Sequence, residues 1–159
     1  MQQIESVKKP IYMRLARSEG VLHNKHNMLR LGKALEISEG TEITIISIGV
    51  MTKRAIEVAN MLNGEKSNVA GVVEIHTFKP FDRDGIIKSS KGKRLVVTIE
   101  DNTGSLEEKV RSVLVNATAK IISFKIPDDF THISGSSEYL FESFGMGTQQ
   151  IYEKIKVEM

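Results

Sequence analysis

Along the chain, short runs of continuously apolar, β-branched residues alternate with stretches whose apolar residues recur every three or four positions. Residues 42–49 (EITIISIG), 69–75 (VAGVVEI), 94–99 (RLVVTI) and 121–126 (IISFKI) are of the first kind. That pattern predicts strands buried on both faces. Between them, residues 52–62 place Ala55, Ile56, Ala59 and Leu62 at helical spacing, with Thr52 as the expected N-cap and Gly64 as the terminator. Lys79-Pro80 closes the second run, and Asp82 is expected to cap a short helix over 83–90. A longer helix is predicted over 105–115, and Pro127 ends the fourth strand. Two terminal helices follow, over 136–144 and 148–156, parted by Gly145-Met-Gly147. A further short strand is expected within 28–37, reaching the Glu39-Gly40 turn.

Strands joined by helical crossovers predict a parallel, doubly wound sheet, because parallel neighbours need long connections. The pattern therefore gives one α/β domain from about residue 28 to the end. The beginning does not fit it. Residues 10–15 (PIYMRL) read as a strand, yet 17–27 are polar without a regular period. A lone strand cannot satisfy its backbone without a sheet to join. Residues 1–27 are accordingly expected to belong to an earlier domain and a linker.

Composition narrows the function classes. The chain has 159 residues, 40% hydrophobic and 26% charged, which is ordinary globular usage. Aromatic residues make up 6% and Trp is absent, which argues against a base-stacking surface. A net charge of +2 predicts no strong attraction to nucleic acid or membrane. With no Cys, disulfides, thiolate zinc sites and a thiol nucleophile are excluded together, and a cytoplasmic location is expected. No apolar run approaches the roughly 18 residues of a membrane span.

Candidate chemistry is sparse. Gly145-x-Gly147-x-x-Gln150 lacks the third glycine and flanking strand of a dinucleotide loop, so a helix-to-helix turn is expected there. Neither a P-loop nor a nucleophile elbow occurs. His23 and His26 are short of a metal site's ligand count, and His76 and His132 stand alone. The best-placed polar cluster is Glu100, Asp101 and Asn102 with Ser105, at the carboxyl end of a buried strand where open α/β sheets bind ligands. The competing reading is helix capping by Asn102, Thr103 or Ser105. Arg14 and Arg17 offer paired donors to a phosphate.

At these segments the chain resembles the C-terminal domain of the transketolase family of thiamine-diphosphate enzymes. Residues 11–17 (IYMRLAR) are similar to the last strand of the family's pyrimidine-binding domain, and 31–62 to its G-K-A … G segment with the strand and helix that follow. VVEIHTFKPFD (72–82), VVTIEDNTGSLEEKV (96–110) and IPDDFTHISGS (126–136) resemble three further family segments in the same order. The resemblance implies a three-layer α/β/α domain on a five-stranded, mostly parallel sheet whose first strand runs antiparallel. It implies domain boundaries of 1–27 for the tail of the preceding domain and 28–159 for this one.

The family includes transketolase, deoxyxylulose-phosphate synthase and the β subunits of 2-oxoacid dehydrogenases. The family's third domain supports assembly while the cofactor sits between upstream domains. No Gly-Asp-Gly diphosphate motif occurs in the chain, and Glu100 lies in a C-terminal-domain segment, so it does not match the cofactor-activating glutamate. The expectation is therefore no catalytic residue, cofactor or metal on this chain. Thiamine diphosphate and magnesium are implied for a whole enzyme that transfers two-carbon ketol units, with Arg17 matching a substrate-phosphate arginine. The implied partner is a subunit carrying the thiamine-diphosphate domains, in a homo- or hetero-oligomer. Two alternatives stand beside this: a free-standing regulatory module binding a ligand near 100–105, and a 2-oxoacid dehydrogenase β-subunit domain docking an acyltransferase.

Overall fold

A computed structural model describes residues 2–15, 29–64 and 68–159. Five strands form one sheet in the order β1-β3-β2-β4-β5. They are β1 (Leu35–Ser38), β2 (Ile43–Ile48), β3 (Ala70–Ile75), β4 (Leu95–Ile99) and β5 (Lys120–Phe124). β1 pairs antiparallel with β3, and every other pairing is parallel. The expected architecture is present, with its antiparallel first strand.

Alternation along the central strands builds two cores. Ile43 and Ile45, Ala70 and Val72, and Leu95, Val97 and Ile99 face one side. Onto them pack α2 (Met51–Asn63), through Met51, Ala55, Val58 and Ala59, and α6 (Thr148–Val157), through Ile151 and Ile155. Ile46, Val73, Ile75 and Val96 face the other side, under Ile86 of α3 (Arg83–Ser90) and Leu106, Val110 and Val113 of α4 (Ser105–Val113). Full burial of one such side chain contributes about 1.5–3 kcal/mol, so the middle strands dominate the stability. A four-residue helix, α1 (Gln2–Glu5), precedes the domain.

α5 (Ser137–Ser143) has no fully buried residue; Ser136 caps it, and Phe141 packs partly buried against the first core. Arg54 of α2 is buried. It donates to Met146 O at 2.6 Å and to Glu138 at 2.7 Å, and stacks over Phe141. The turn 145–147 is the expected helix-to-helix connection, and Gln150 Oε1 accepts from the Gly147 amide at 2.9 Å.

Three local expectations need correction. Thr52 is not the N-cap of α2: the helix begins one residue earlier, after Val50, and Thr52 Oγ1 accepts from Ser47 Oγ at 3.1 Å instead. The strand expected within 28–37 starts at Leu35, because Leu31 and Gly32 form a turn pinned by the Lys33 amide to Arg30 O. Residues 11–15 belong to no strand among the described residues. Gly64 does end α2, with φ +42, and Asp82 does cap α3, accepting from the Gly85 amide.

Candidate functional site

Glu100 directly follows β4 and continues the face of Val96 and Thr98, so it projects beneath the first turn of α4. It is fully buried. Its carboxylate accepts from the amides of Leu106 and Glu107, each at 2.9 Å, and from Ser105 Oγ at 3.2 Å. A helix leaves its first amides without partners, and a carboxylate there also meets the positive end of the helix dipole. The strand-end glutamate is therefore the cap of α4. The sequence pointed to Asn102, Thr103 or Ser105 for that duty. The residue before α4 is Gly104, at φ +126, and it offers no side chain. A Cβ at Gly104 would lie 2.9 Å from Lys125 Nζ.

Asp101 and Asn102 turn outward and hold Arg14. Arg14 Nη2 donates to Asp101 Oδ2 and Nη1 to Asn102 Oδ1, both at 3.0 Å. The structure thus brings Arg14 to the strand-end cluster across 87 residues of sequence, a link no local pattern announces. Arg17, His23 and His26 lie outside the described residues. His76 Nδ1 contacts Thr77 Oγ1, and His132 is exposed.

Behind the cap sits a charge cluster that the sequence reading missed. Glu107 pairs with Lys125 and with Arg111, each at 2.8 Å. Arg111 and Glu107 are legible as an i, i+4 pair, but Lys125 arrives from the end of β5. Partial burial pushes the Glu107 carboxyl up, yet hydrogen bonds from Lys125 and Arg111, with the charge of Lys125, outweigh it and bring it down from 4.5 to about 2. Asp82 shifts the same way: burial raises it, while the Ala34 amide, Lys33 and the Gly85 amide together lower it.

A carboxyl held below its unfolded value contributes stability above about 4.5, and that stability is lost as the pH falls toward 2. Thermal midpoints measured down the acid range should therefore fall across this window. Glu107→Gln should flatten that limb. Equal acid slopes in wild type and variant would contradict this account.

The Arg14 contact calls for a different expectation. Its ion pair is exposed, and such pairs contribute about 1 kcal/mol or less. Arg14→Ala should leave global stability within that margin while unpinning residues 10–15. Chymotrypsin cleavage after Tyr12 reports the release and should accelerate. Unchanged cleavage, or a loss of several kcal/mol, would contradict the assignment.

Among the described residues no group of three or more His, Asp or Glu side chains converges as a metal site. The strand-end acids are engaged with α4 and Arg14. These residues do not fit a magnesium diphosphate. No helix among them is long and apolar enough to cross a membrane.

Residues 32–151 match the transketolase C-terminal domain. The chain belongs to that family. Transketolases work with thiamine diphosphate. A transketolase-family protein of Sinorhizobium fredii, itself uncharacterised, is 35% identical over 156 residues, covering 92% of this chain and 44% of that one. The 6-deoxy-6-sulfo-D-fructose transketolase subunit SqwH of a Clostridium species is 32% identical over 146 residues, covering 89% of this chain and 45% of that one. A solved split-gene transketolase, described as an inactive β4 tetramer, superposes with a TM-score of 0.81 at 26% identity, over 98% of this chain and 51% of that one. This transketolase C-terminal domain thus spans about half the length of the curated relatives it matches.

Proposed function

We propose that this chain is the C-terminal part of a transketolase-type enzyme and contributes assembly rather than chemistry. In this reading the two-carbon ketol transfer takes place on thiamine diphosphate held by a partner subunit that carries the upstream domains, in the cytoplasm. The observation that carries the proposal is the combination of a five-stranded C-terminal domain with residues 10–15. These residues are fastened to it by Arg14, join no strand among the described residues, and turn Ile11, Tyr12 and Leu15 outward. Backbone and apolar side chains left open in this way favour addition to another sheet. Residues 1–27 then act as the tail of the neighbouring domain. Arg17 is the proposed contact to a substrate phosphate, with Arg14 committed to Asp101 and Asn102.

The native mass of the chain isolated gently from its source cells tests this. The expected result is a complex with a larger subunit that binds thiamine diphosphate, with ketol transfer appearing only when both are present. A chain that never co-purifies with such a subunit, or a larger subunit fully active without it, would overturn the proposal.

A further inference from the structure

β5 is an edge strand, paired only with β4. The Lys120 amide donates to Arg94 O, and Phe124 O accepts from the Glu100 amide. These two residues, and Ile122 between them, therefore turn their main-chain groups toward β4. Ile121 and Ser123 alternate with them and turn theirs outward. Arg111 Nη2 donates to Ile121 O at 3.1 Å and covers that part of the edge. Among the described residues no hydrogen bond reaches the Ile121 amide or the Ser123 amide and carbonyl. An edge open in this way is a template for a further strand.

Beside the edge, between β5 and α6, runs a groove of about 300 Å³. Ile122 and Phe124 of β5 and Val157 of α6 line it with apolar surface, and Val157 is 86% exposed. Two contacts show that α6 runs antiparallel to β5 along it. Lys120 pairs with Glu158 at one end, and Lys154 Nζ lies 5.7 Å from the centre of the Phe124 ring at the other. The two ends differ in charge. Glu158 is engaged by Lys120, whereas Lys154 forms no ion pair among the described residues. The groove is thus apolar along its length, bordered by open backbone, and positive where Phe124 lies. The five residues of β5 extend roughly 16 Å, which leaves room for one short extended segment.

We propose that the β5 edge is a docking site for an extended, acidic-apolar peptide segment of another protein, which adds to the sheet as a further strand. Its main-chain groups pair with Ser123 and with the Ile121 amide. Alternate apolar side chains enter the groove against Ile122, Phe124 and Val157, and a carboxylate meets Lys154. Main-chain pairing supplies affinity to any extended segment, while the groove and the cation select among them. A helix could fill the groove but would leave the edge amides without acceptors. The carboxylate belongs either to an acidic side chain or to a chain end, and both offer the same anion. No residue of 1–27 takes part, so the site is independent of the split-enzyme reading.

Selection against the immobilised full chain, from random heptapeptides displayed with free carboxyl ends, tests it. Enriched sequences are expected to alternate apolar and polar residues and to carry a carboxylate toward one terminus. With the strongest binder made synthetically, fluorescence anisotropy should show about a tenfold loss of affinity for Lys154→Glu and for Val157→Asp. Both positions are exposed, and circular dichroism should be unchanged. Methylating the peptide's amides one at a time leaves the protein untouched. It should abolish binding at every second position and spare those between, because only alternate amides face β5. Amidating the carboxyl end weakens binding if that end meets Lys154, and an acidic side chain replaced by its amide does so if the side chain meets it. No enrichment, enrichment at helical spacing, indifference to both variants, or methylation effects without alternation would each overturn the proposal. Cross-linking of β5 to β5 of a second copy in the absence of peptide would overturn it too. A complex with a thiamine-diphosphate-binding subunit but no selected peptide would overturn this site and leave the enzyme reading intact. Selected peptides with no such subunit in the source cells would do the reverse.

Discussion

Replacing Glu100 by alanine is expected to destabilise the domain by about 3–5 kcal/mol, a large share of the 5–15 typical of a single domain. Its carboxylate is buried, and its three acceptor contacts hold the Leu106 and Glu107 amides and the Ser105 hydroxyl. Alanine would leave the buried Leu106 amide unpartnered beside a cavity, while the exposed Ser105 hydroxyl turns to solvent. Charge-assisted bonds to backbone amides contribute roughly 1.5–3 kcal/mol each, and a donor buried without a partner costs about 1–3. Glu100→Gln separates shape from charge. It keeps one carbonyl acceptor but turns an NH2 group toward an amide that needs an acceptor, so an intermediate loss of about 2 kcal/mol is expected. Urea unfolding with an unchanged slope measures both. A catalytic or ligand-binding Glu100 would instead leave stability nearly untouched in either variant, and that outcome would refute the capping role.

Glu100 also illustrates where sequence reading succeeds and where it stops. The four parallel strands were legible because β2, β3 and β4 are buried on both faces, which removes the polar alternation and leaves runs such as LVVTI. Asp82 was legible as a cap because cap and helix are neighbours in sequence. The sequence placed Glu100 in a strand-end polar cluster, but its role as the cap of α4 was not legible there. Its partners lie only six and seven residues away, but its direction depends on the face that β4 turns toward α4. That face is set by packing, not by local propensity. The Arg14 contact and the Lys125–Glu107 pair were hidden for a simpler reason: both join residues far apart in the chain. β1 was placed too early because apolar Met28, Leu29 and Leu31 extend the pattern upstream, while the pairing partner that defines the strand, β3, begins only opposite Leu35.

The attachment of β1 to β3 gives the second large effect: Gly71→Ala should cost about 3–5 kcal/mol, although only a methyl group is added. Strand pairing explains why. β1 meets β3 with a register shift between Glu36 and Ser38, and Ser38 Oγ takes the Val72 amide at 3.2 Å. The chain then turns so closely that the backbones of Gly40 and Gly71 touch. A Cβ on Gly71 would lie 2.3 Å from Gly40 N and 2.6 Å from Ser38 O. Both obstacles are backbone, so no side chain can swing aside, and β1 must lift from the sheet edge.

Hydrogen exchange should then show the amides of β3 that face β1 losing protection while β2 and β4 keep theirs. Gly49→Ala is the control. At φ +58 a side chain is strained, but a Cβ there meets nothing within 4 Å, and about 1–2 kcal/mol is expected. The ordering of the two variants carries the argument: if Gly71→Ala proves no worse than Gly49→Ala, the close backbone approach does not govern how β1 is held. If it proves much worse, with exchange confined to the β1–β3 seam, the antiparallel first strand is anchored by two residues that have no side chains.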